Sequence, residues 1–222
     1  LNNMRNRMIY LAAGNSVRFG ENKLLFPIAG KPMYQHGLFL LFSILEKKEE
    51  YELIVATQYP QIYEKVSQLK LQRENIADRI YPLLTKQSRL GMSYTIREAI
   101  EYGWTIPEKT DFSNCISGNE RKIWQEGPNY DTFMVADQPY MTEVSLLGFM
   151  EGMTNSGKMV GCVTEKDQYG NPVMFRSSLE EELLQLEGDQ GGKRIFRKHL
   201  DNSYTYPVEN ECQDIDTLSS LG

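Results

Sequence analysis

A three-layer α/β/α fold with a mostly parallel central sheet is expected from two features of the sequence. Short apolar runs bounded by turn residues alternate along the chain with stretches of helical periodicity, the pattern of strands covered by helices on both faces. The first of these runs leads directly into a polar, glycine-containing loop and then a helix. That is where an open α/β sheet presents a ligand loop, at the C-terminal end of a strand.

Met8 to Ala12 is a short apolar run ending in Ala-Gly and reads as a buried first strand. A long loop follows from Gly14 to Lys31, polar at its start. Pro32 opens a helix to about Glu46, with Met33, Gly37, Leu40, Leu41 and Ile44 on one face. Leu53 to Ala56 is a second strand, Gln61 to Leu69 a helix, and Arg79 to Pro82 a third strand. Gly91 precedes a helix over Ser93 to Tyr102, and Asp131 to Ala136 is the next strand. Between these last two, about Thr105 to Tyr130 is polar, lacks periodicity and carries Pro107, Gly118, Gly127 and Pro128. Its length marks a surface insertion. Thr142 N-caps a helix to Met153, and Met159 to Thr164 and Pro172 to Phe175 are strands. Ser178 to Leu186 reads as a helix whose Ser178 and Glu181 form a capping box.

The chain has 222 residues, of which 41% are hydrophobic and 24% charged, so one substantial core and a single domain over 1–222 are expected. A net charge of -6 argues against a nucleic-acid partner, which requires clustered Lys and Arg. No apolar stretch approaches the roughly 20 residues of a membrane span, and Leu1 to Arg7 leads into a short strand rather than a signal-peptide core. A cytoplasmic protein with no membrane partner is the expectation. Cys115, Cys162 and Cys212 are far apart and form no Cys-x-x-Cys pair, and His36 and His199 are the two histidines. A disulfide framework, a zinc site and a Ser-His-Asp triad are therefore set aside.

The chemistry concentrates in Leu11-Ala12-Ala13-Gly14-Asn15-Ser16-Val17-Arg18-Phe19-Gly20-Glu21-Asn22-Lys23, immediately after the first strand. Small residues at 12–14 let the backbone approach a ligand and aim N–H groups at phosphate oxygens, while Arg18 and Lys23 bring positive charge. The run fits neither the Walker A spacing nor the dinucleotide pattern Gly-x-Gly-x-x-Gly. A plain turn with two solvated cations is the alternative.

The run Leu-Ala-Ala-Gly-x-Ser-x-Arg-Phe-Gly-x-x-Lys resembles the signature of the MobA-like nucleotidyltransferases with a Rossmann-like domain, and within them the molybdenum cofactor cytidylyltransferase branch. Three later segments agree in order: Gly91-Met92-Ser93-Tyr94-Thr95-Ile96, Val135-Ala136-Asp137-Gln138-Pro139 and Gly188-Asp189-Gln190-Gly191-Gly192. The resemblance implies transfer of CMP from CTP to the phosphate of molybdopterin, or of its metal-loaded form, with release of pyrophosphate. A pterin-type acceptor and a molybdoenzyme that receives the product are the partners it implies.

On that resemblance, Leu11, Ala12, Ala13, Gly14, Ser16, Arg18 and Lys23 cradle the triphosphate, and Gly91 and Ser93 contact base and ribose. Arg18, Lys23 and Asp137 are the catalytic candidates. Asp137 ends an apolar strand and is delivered to the same edge as the loop, where Mg²⁺ bridging phosphate oxygens needs a carboxylate anchor. An isolated Asp-x-Pro would otherwise read as a helix cap. Gly188, Asp189 and Gly191 belong to the acceptor side, with ordinary turn chemistry as the alternative. Asp214 is the candidate second metal ligand, with a pair of solvated carboxylates before a final helix as the alternative. Asp214 and Asp216 flank Ile215 and would share one side of a strand. The family continues here with Thr-Pro-Glu-Asp, whereas Thr217 is followed by Leu218-Ser219-Ser220. Other small phosphates as acceptor, a sugar phosphate or an isoprenoid precursor, and a non-catalytic delivery protein are the competing readings.

The run Glu180-Glu181-Glu182 reads as a solvated helix face backed by Leu179 and Leu183. Met134, Met141, Met150 and Met153 read as core filling, and Cys162 as an inert buried thiol. Trp104 and Trp124 border or occupy the insertion and either stack on a ligand or pack locally.

Overall fold

The computed structural model describes residues 6–15, 22–106 and 130–215. Ser16, Arg18, Asp216, Trp124, Cys115 and residues 107–129 of the expected insertion lie outside the described residues.

A seven-stranded sheet forms the middle layer. Its strands are β1 (Asn6–Leu11), β4 (Tyr51–Thr57), β5 (Ile80–Leu84), β6 (Tyr130–Val135), β7 (Val160–Glu165), β8 (Gln168–Arg176) and β9 (Ser203–Pro207), in the order β5-β4-β1-β6-β8-β7-β9. β5, β4, β1 and β6 are parallel, β8 runs antiparallel to β6 and β7, and β9 is parallel to β7. A small antiparallel pair, β2 (Pro27–Ile28) and β3 (Lys31–Pro32), lies within the long loop after β1. The helices are α1 (Met33–Lys47), α2 (Pro60–Leu71), α3 (Met92–Thr105), α4 (Glu143–Ser156), α5 (Glu180–Leu184) and α6 (Lys193–Lys198).

Every residue of β1, β4 and β6 is buried, which explains why apolar residues occupy both sides of these strands beyond their polar N-terminal ends: both faces are covered. Side chains alternate between the two layers. Met8, Tyr10, Leu53, Val55 and Met134 enter one core with Leu38 of α1, Ile62 of α2 and Phe149 of α4. Ile9, Leu11, Ile54, Phe133 and Val135 enter the other with Ile96 of α3, Leu183 of α5 and Phe196 of α6. The three-layer arrangement with a mostly parallel sheet is thus the one expected. The methionines at 134, 141, 150 and 153 are core, and Cys162 is buried in β7 with its thiol pushed up to about 12 by burial.

Several local expectations are corrected. Ser178 caps nothing: a 3-10 turn at Ser177–Leu179 runs into α5, whose N-cap position is Leu179, so the capping box does not form. Residues 166–167 make a two-residue hairpin, Lys166 and Asp167 both having positive φ (50 and 62), and the second strand begins at Gln168 rather than Pro172. The buried face of α1 includes Tyr34, Leu38, Phe42 and Leu45, while Leu40 is half-buried. α6 and β9 escape the sequence reading because each is short. Thr142 does cap α4, its side chain accepting from Ser145 N at 3.2 Å.

Glu180 is not solvated. It is buried at the N-terminal edge of the sheet in a cluster around Arg7 of β1, whose guanidinium lies 3.3 Å from Glu52 Oε1 of β4, 3.2 Å from Asp131 Oδ1 of β6 and 3.2 Å from Glu180 Oε1. Trp104 Nε1 also donates to Glu180, so this tryptophan packs against the body of the protein. Burial pushes the Asp131 carboxyl up to about 8; Arg7 opposes the rise and Glu180 adds to it. Asp131 Oδ2 is buried and finds no donor among the described residues. A carboxyl oxygen facing a second carboxylate is stable there when a proton sits between them.

Candidate active site

The strand order reverses at β1. The chain steps from β1 outward to β4 and β5, then α3 carries it back across to β6 on the other flank of β1. The crevice beyond the C-terminal ends of β1 and β6 is therefore the topological switch point, the usual ligand position in open α/β sheets. Leu11 pairs with Val135 at this edge, and Ala136 N donates to Leu11 O at 3.1 Å, so the residues that follow each strand emerge together.

Ala12 and Ala13 are buried, and Ala12 N donates to Ala56 O at 2.8 Å as the last rung of the β1–β4 ladder. The next carbonyls are held by side chains: Thr57 Oγ1 donates to Ala12 O at 2.7 Å, Gln58 Nε2 to Ala13 O at 2.6 Å, and the Tyr59 hydroxyl to Gly14 O at 2.7 Å. Gly14 is exposed, and a Cβ built on it meets nothing within 4 Å among the described residues. Asn15 Oδ1 accepts from Gln58 at 3.0 Å while its Nδ2 donates to Arg89 O at 3.3 Å, tying the loop to the turn before α3.

Lys23 and Asp137, 114 positions apart in the chain, meet as an ion pair. Lys23 opens a 3-10 turn (Lys23–Leu25) capped by Asn22, whose Oδ1 accepts from Leu24 N at 3.1 Å. That turn buries the lysine stem and brings Nζ to 2.8 Å from Asp137 Oδ2. The Asp137 side chain keeps 28% of its surface exposed, so the pair opens onto solvent. Asp214 is drawn to the same place: Gln138 Nε2 donates to Asp214 Oδ1 at 2.6 Å, and Ile215 N donates to Asp137 O at 3.1 Å. Ile215 anchors this segment by inserting into the first core. Tyr10, buried below, donates to Tyr34 O at 2.7 Å; burial, with a smaller contribution from the Asp137 charge, raises its phenol well above the usual value.

A second group of contacts joins Gly91 and Ser93 to the 188–191 turn. Ser93 N and Oγ both donate to Gly188 O, at 3.1 and 2.8 Å, and Arg97 holds Leu186 O at 3.0 Å. Gly91 N-caps α3 at φ +133, and a Cβ there would lie 2.3 Å from Gly188 O. Glycine is required at 91 by both conformation and contact. Asp189 is exposed beside this clamp, and Gly191 abuts Met92. Segments expected to serve donor and acceptor separately are therefore interlocked.

Of the candidates, Leu11, Ala12, Ala13, Gly14, Lys23, Asp137 and Asp214 gather at the β1–β6 edge. Gly91, Ser93, Gly188, Asp189 and Gly191 form the adjoining wall. Asn15 and Gln138 stood inside the quoted motifs without a role, and the triplet Thr57–Tyr59 escaped the sequence reading. The triplet's signal was there, three polar residues directly after an apolar strand.

No group of three or more metal-ligating side chains occurs among the described residues. Two carboxylates with phosphate oxygens nevertheless form the hard-oxygen set that Mg²⁺ or a similar cation takes, since such ions usually bind one or two carboxylates and complete their shell from substrate and water. Asp137 and Asp214 lie on adjoining stretches, Gln138 binding Asp214 and Ile215 N donating to Asp137 O.

The fold is shared with solved structures of low sequence identity. Rv0371c from Mycobacterium tuberculosis H37Rv superposes with a TM-score of 0.68 at 17% identity, over 97% of this chain and 94% of that one. Its complex with manganese gives 0.60 at 16%, covering 92% and 89%. A CMP:2-keto-3-deoxy-manno-octonic acid synthetase complexed with CTP gives 0.65 at 14%, covering 98% and 95%. No curated protein matches the chain. The sequence model of the MobA-like NTP transferase domain matches residues 8–203, and the chain therefore belongs to that nucleotidyltransferase family.

Proposed function

We propose that the chain transfers a nucleotidyl group, CMP from CTP, to the phosphate of a small pterin-type acceptor and releases pyrophosphate. The observation that carries this reading is the Lys23–Asp137 pair at 2.8 Å on the switch-point edge, where a cation for phosphate charge and a carboxylate for a divalent ion stand side by side. Gly14 adds a second support. Its φ is not in the positive region and no described neighbour crowds its Cβ, so among the described residues neither backbone nor packing calls for glycine there. Close approach of a ligand to the backbone does. CTP as donor follows the family resemblance of the loop, and the structural neighbour bound to CTP agrees with it.

In this reading an oxygen of the acceptor phosphate attacks the α-phosphorus in line, and the bond to the β-phosphate breaks, with the electron pair leaving on pyrophosphate. The chain's task is positioning and charge compensation, with no protein nucleophile. Lys23 Nζ is proposed to offset the charge that builds on the phosphoryl oxygens, with Arg18 acting beside it. Asp137 and Asp214 would hold Mg²⁺, which supplies Lewis-acid stabilisation of the same oxygens. Asp189, beside Gly188 and Gly191, is proposed to face the acceptor. A single domain serves this reaction, and a molybdoenzyme is the proposed recipient of the product.

The test is pyrophosphate release with Mg²⁺ and each of CTP, GTP, ATP and UTP, with and without molybdopterin, for the wild type and Asp137→Asn. Release with CTP and pterin alone, lost in the variant at an unchanged melting temperature, is expected. Triphosphate binding without release under any of these conditions would overturn the acceptor assignment and favour another small phosphate or a delivery role.

A further inference from the structure

The backbone ladder between β1 and β4 ends at Ala12, yet its register continues. Ala12, Ala13 and Gly14 each meet the residue 45 positions later, the same offset as Leu11 to Ala56, with side-chain donors in place of backbone N–H groups. Within one peptide unit the carbonyl and the following N–H point in opposite directions. Drawing the carbonyls of residues 12, 13 and 14 toward β4 therefore turns the amides of Ala13, Gly14 and Asn15 away from it. Successive amides facing one way form an anion-binding concavity, and a carbonyl rotated into it would repel phosphate instead. Thr57 also accepts from Tyr59 N at 3.2 Å, which fixes the bend that brings all three donors into line. Gln58 makes a second bond to Asn15.

We propose that Thr57, Gln58 and Tyr59 are positioning residues for the triphosphate: they hold three consecutive loop carbonyls back so that the following amides face the phosphate oxygens. The inference rests on the triphosphate reading above but concerns different residues, which touch the loop and not the ligand.

The experiment measures binding of inorganic tripolyphosphate with Mg²⁺ by calorimetry, beside melting temperatures, for the wild type, Tyr59→Phe, Gln58→Ala, Thr57→Val and Thr57→Ser. Each lost bond is expected to weaken binding about three- to tenfold, the usual net worth of one hydrogen bond. Tyr59→Phe removes only a half-exposed hydroxyl, so its loss is expected at an unchanged melting temperature, and Thr57→Ser is expected to restore what Thr57→Val loses. Variants that bind as tightly as a binding wild type overturn the positioning role and leave the triphosphate reading standing. A wild type that does not bind tripolyphosphate overturns both.

Discussion

Asp131→Asn probes the buried cluster at the N-terminal edge of the sheet. One guanidinium there faces three carboxylates, Glu52, Asp131 and Glu180, all nearly excluded from solvent. Fully ionised, the group would carry a net charge of -2, and burial resists this by raising Asp131 from its ordinary 3.8 to about 8. The sign of the linkage follows. Below the ordinary value both folded and unfolded chains are protonated at this site. Between it and about pH 8 only the folded chain keeps the proton, so stability falls by about 1.4 kcal/mol for each pH unit gained; above the folded value the slope from this group vanishes. From pH 5 to 8 the loss is on the order of 4 kcal/mol. Asparagine imitates the protonated acid, with an N–H₂ for Glu180 and an oxygen for Arg7. Urea unfolding of both proteins at pH 5 to 9 and constant ionic strength gives the difference free of other titrating groups. The variant is expected to be ahead by about 1.6 kcal/mol already at pH 5, with the gap widening toward pH 8 and constant beyond. A difference that does not change with pH would refute the argument, since Asp131 would then be charged throughout.

Arg7→Met leaves the same carboxylates without their cation and is expected to lower stability by about 3–5 kcal/mol, measured by urea unfolding at pH 7. Gly91→Ala and Gly14→Ala separate two reasons for glycine. At 91 the φ of +133 and the carbonyl 2.3 Å from the new Cβ are expected to cost about 1–3 kcal/mol in strain and shift the 188–191 turn. At 14 the new methyl meets no described neighbour, so stability is expected within about 0.5 kcal/mol of wild type while triphosphate affinity falls. Equal melting temperatures for the two variants would contradict the first expectation, and unchanged nucleotide binding by Gly14→Ala the second.

Much of the fold was legible because period and burial coincide. Met8 to Ala12, Leu53 to Ala56 and, within Asp131 to Ala136, the run from Phe133 on are apolar on both sides because both faces of the sheet are covered, and α1 to α4 were placed within a few residues of their ends. Ser178 misled because its capping pattern is local, whereas Glu180, two residues on, is held by Arg7 of β1, far away in the chain. A glutamate run looks solvated on any one-dimensional reading, and nothing near Glu180 in sequence announces a buried guanidinium. The hairpin at Lys166–Asp167 was hidden for a related reason: neither residue is the glycine or asparagine that usually marks two positive φ values in a row.

The candidate site divides in the same way. Residue type and order pointed to a phosphate loop after the first strand, to Lys23 as its cation and to Gly91 as a turn residue before a helix, because small residues, a cation and a glycine each carry local physical meaning; Asp137 was singled out by the family resemblance, since by itself it reads as a helix cap. Which of them meet is a matter of packing. The register of β1 against β4 sets Thr57, Gln58 and Tyr59 opposite three loop carbonyls, Gln138 draws in Asp214, and Ser93 spends its hydroxyl on Gly188. Contacts between residues so far apart in the chain depend on how strands align and where helices come to rest, and only the assembled layers define those distances.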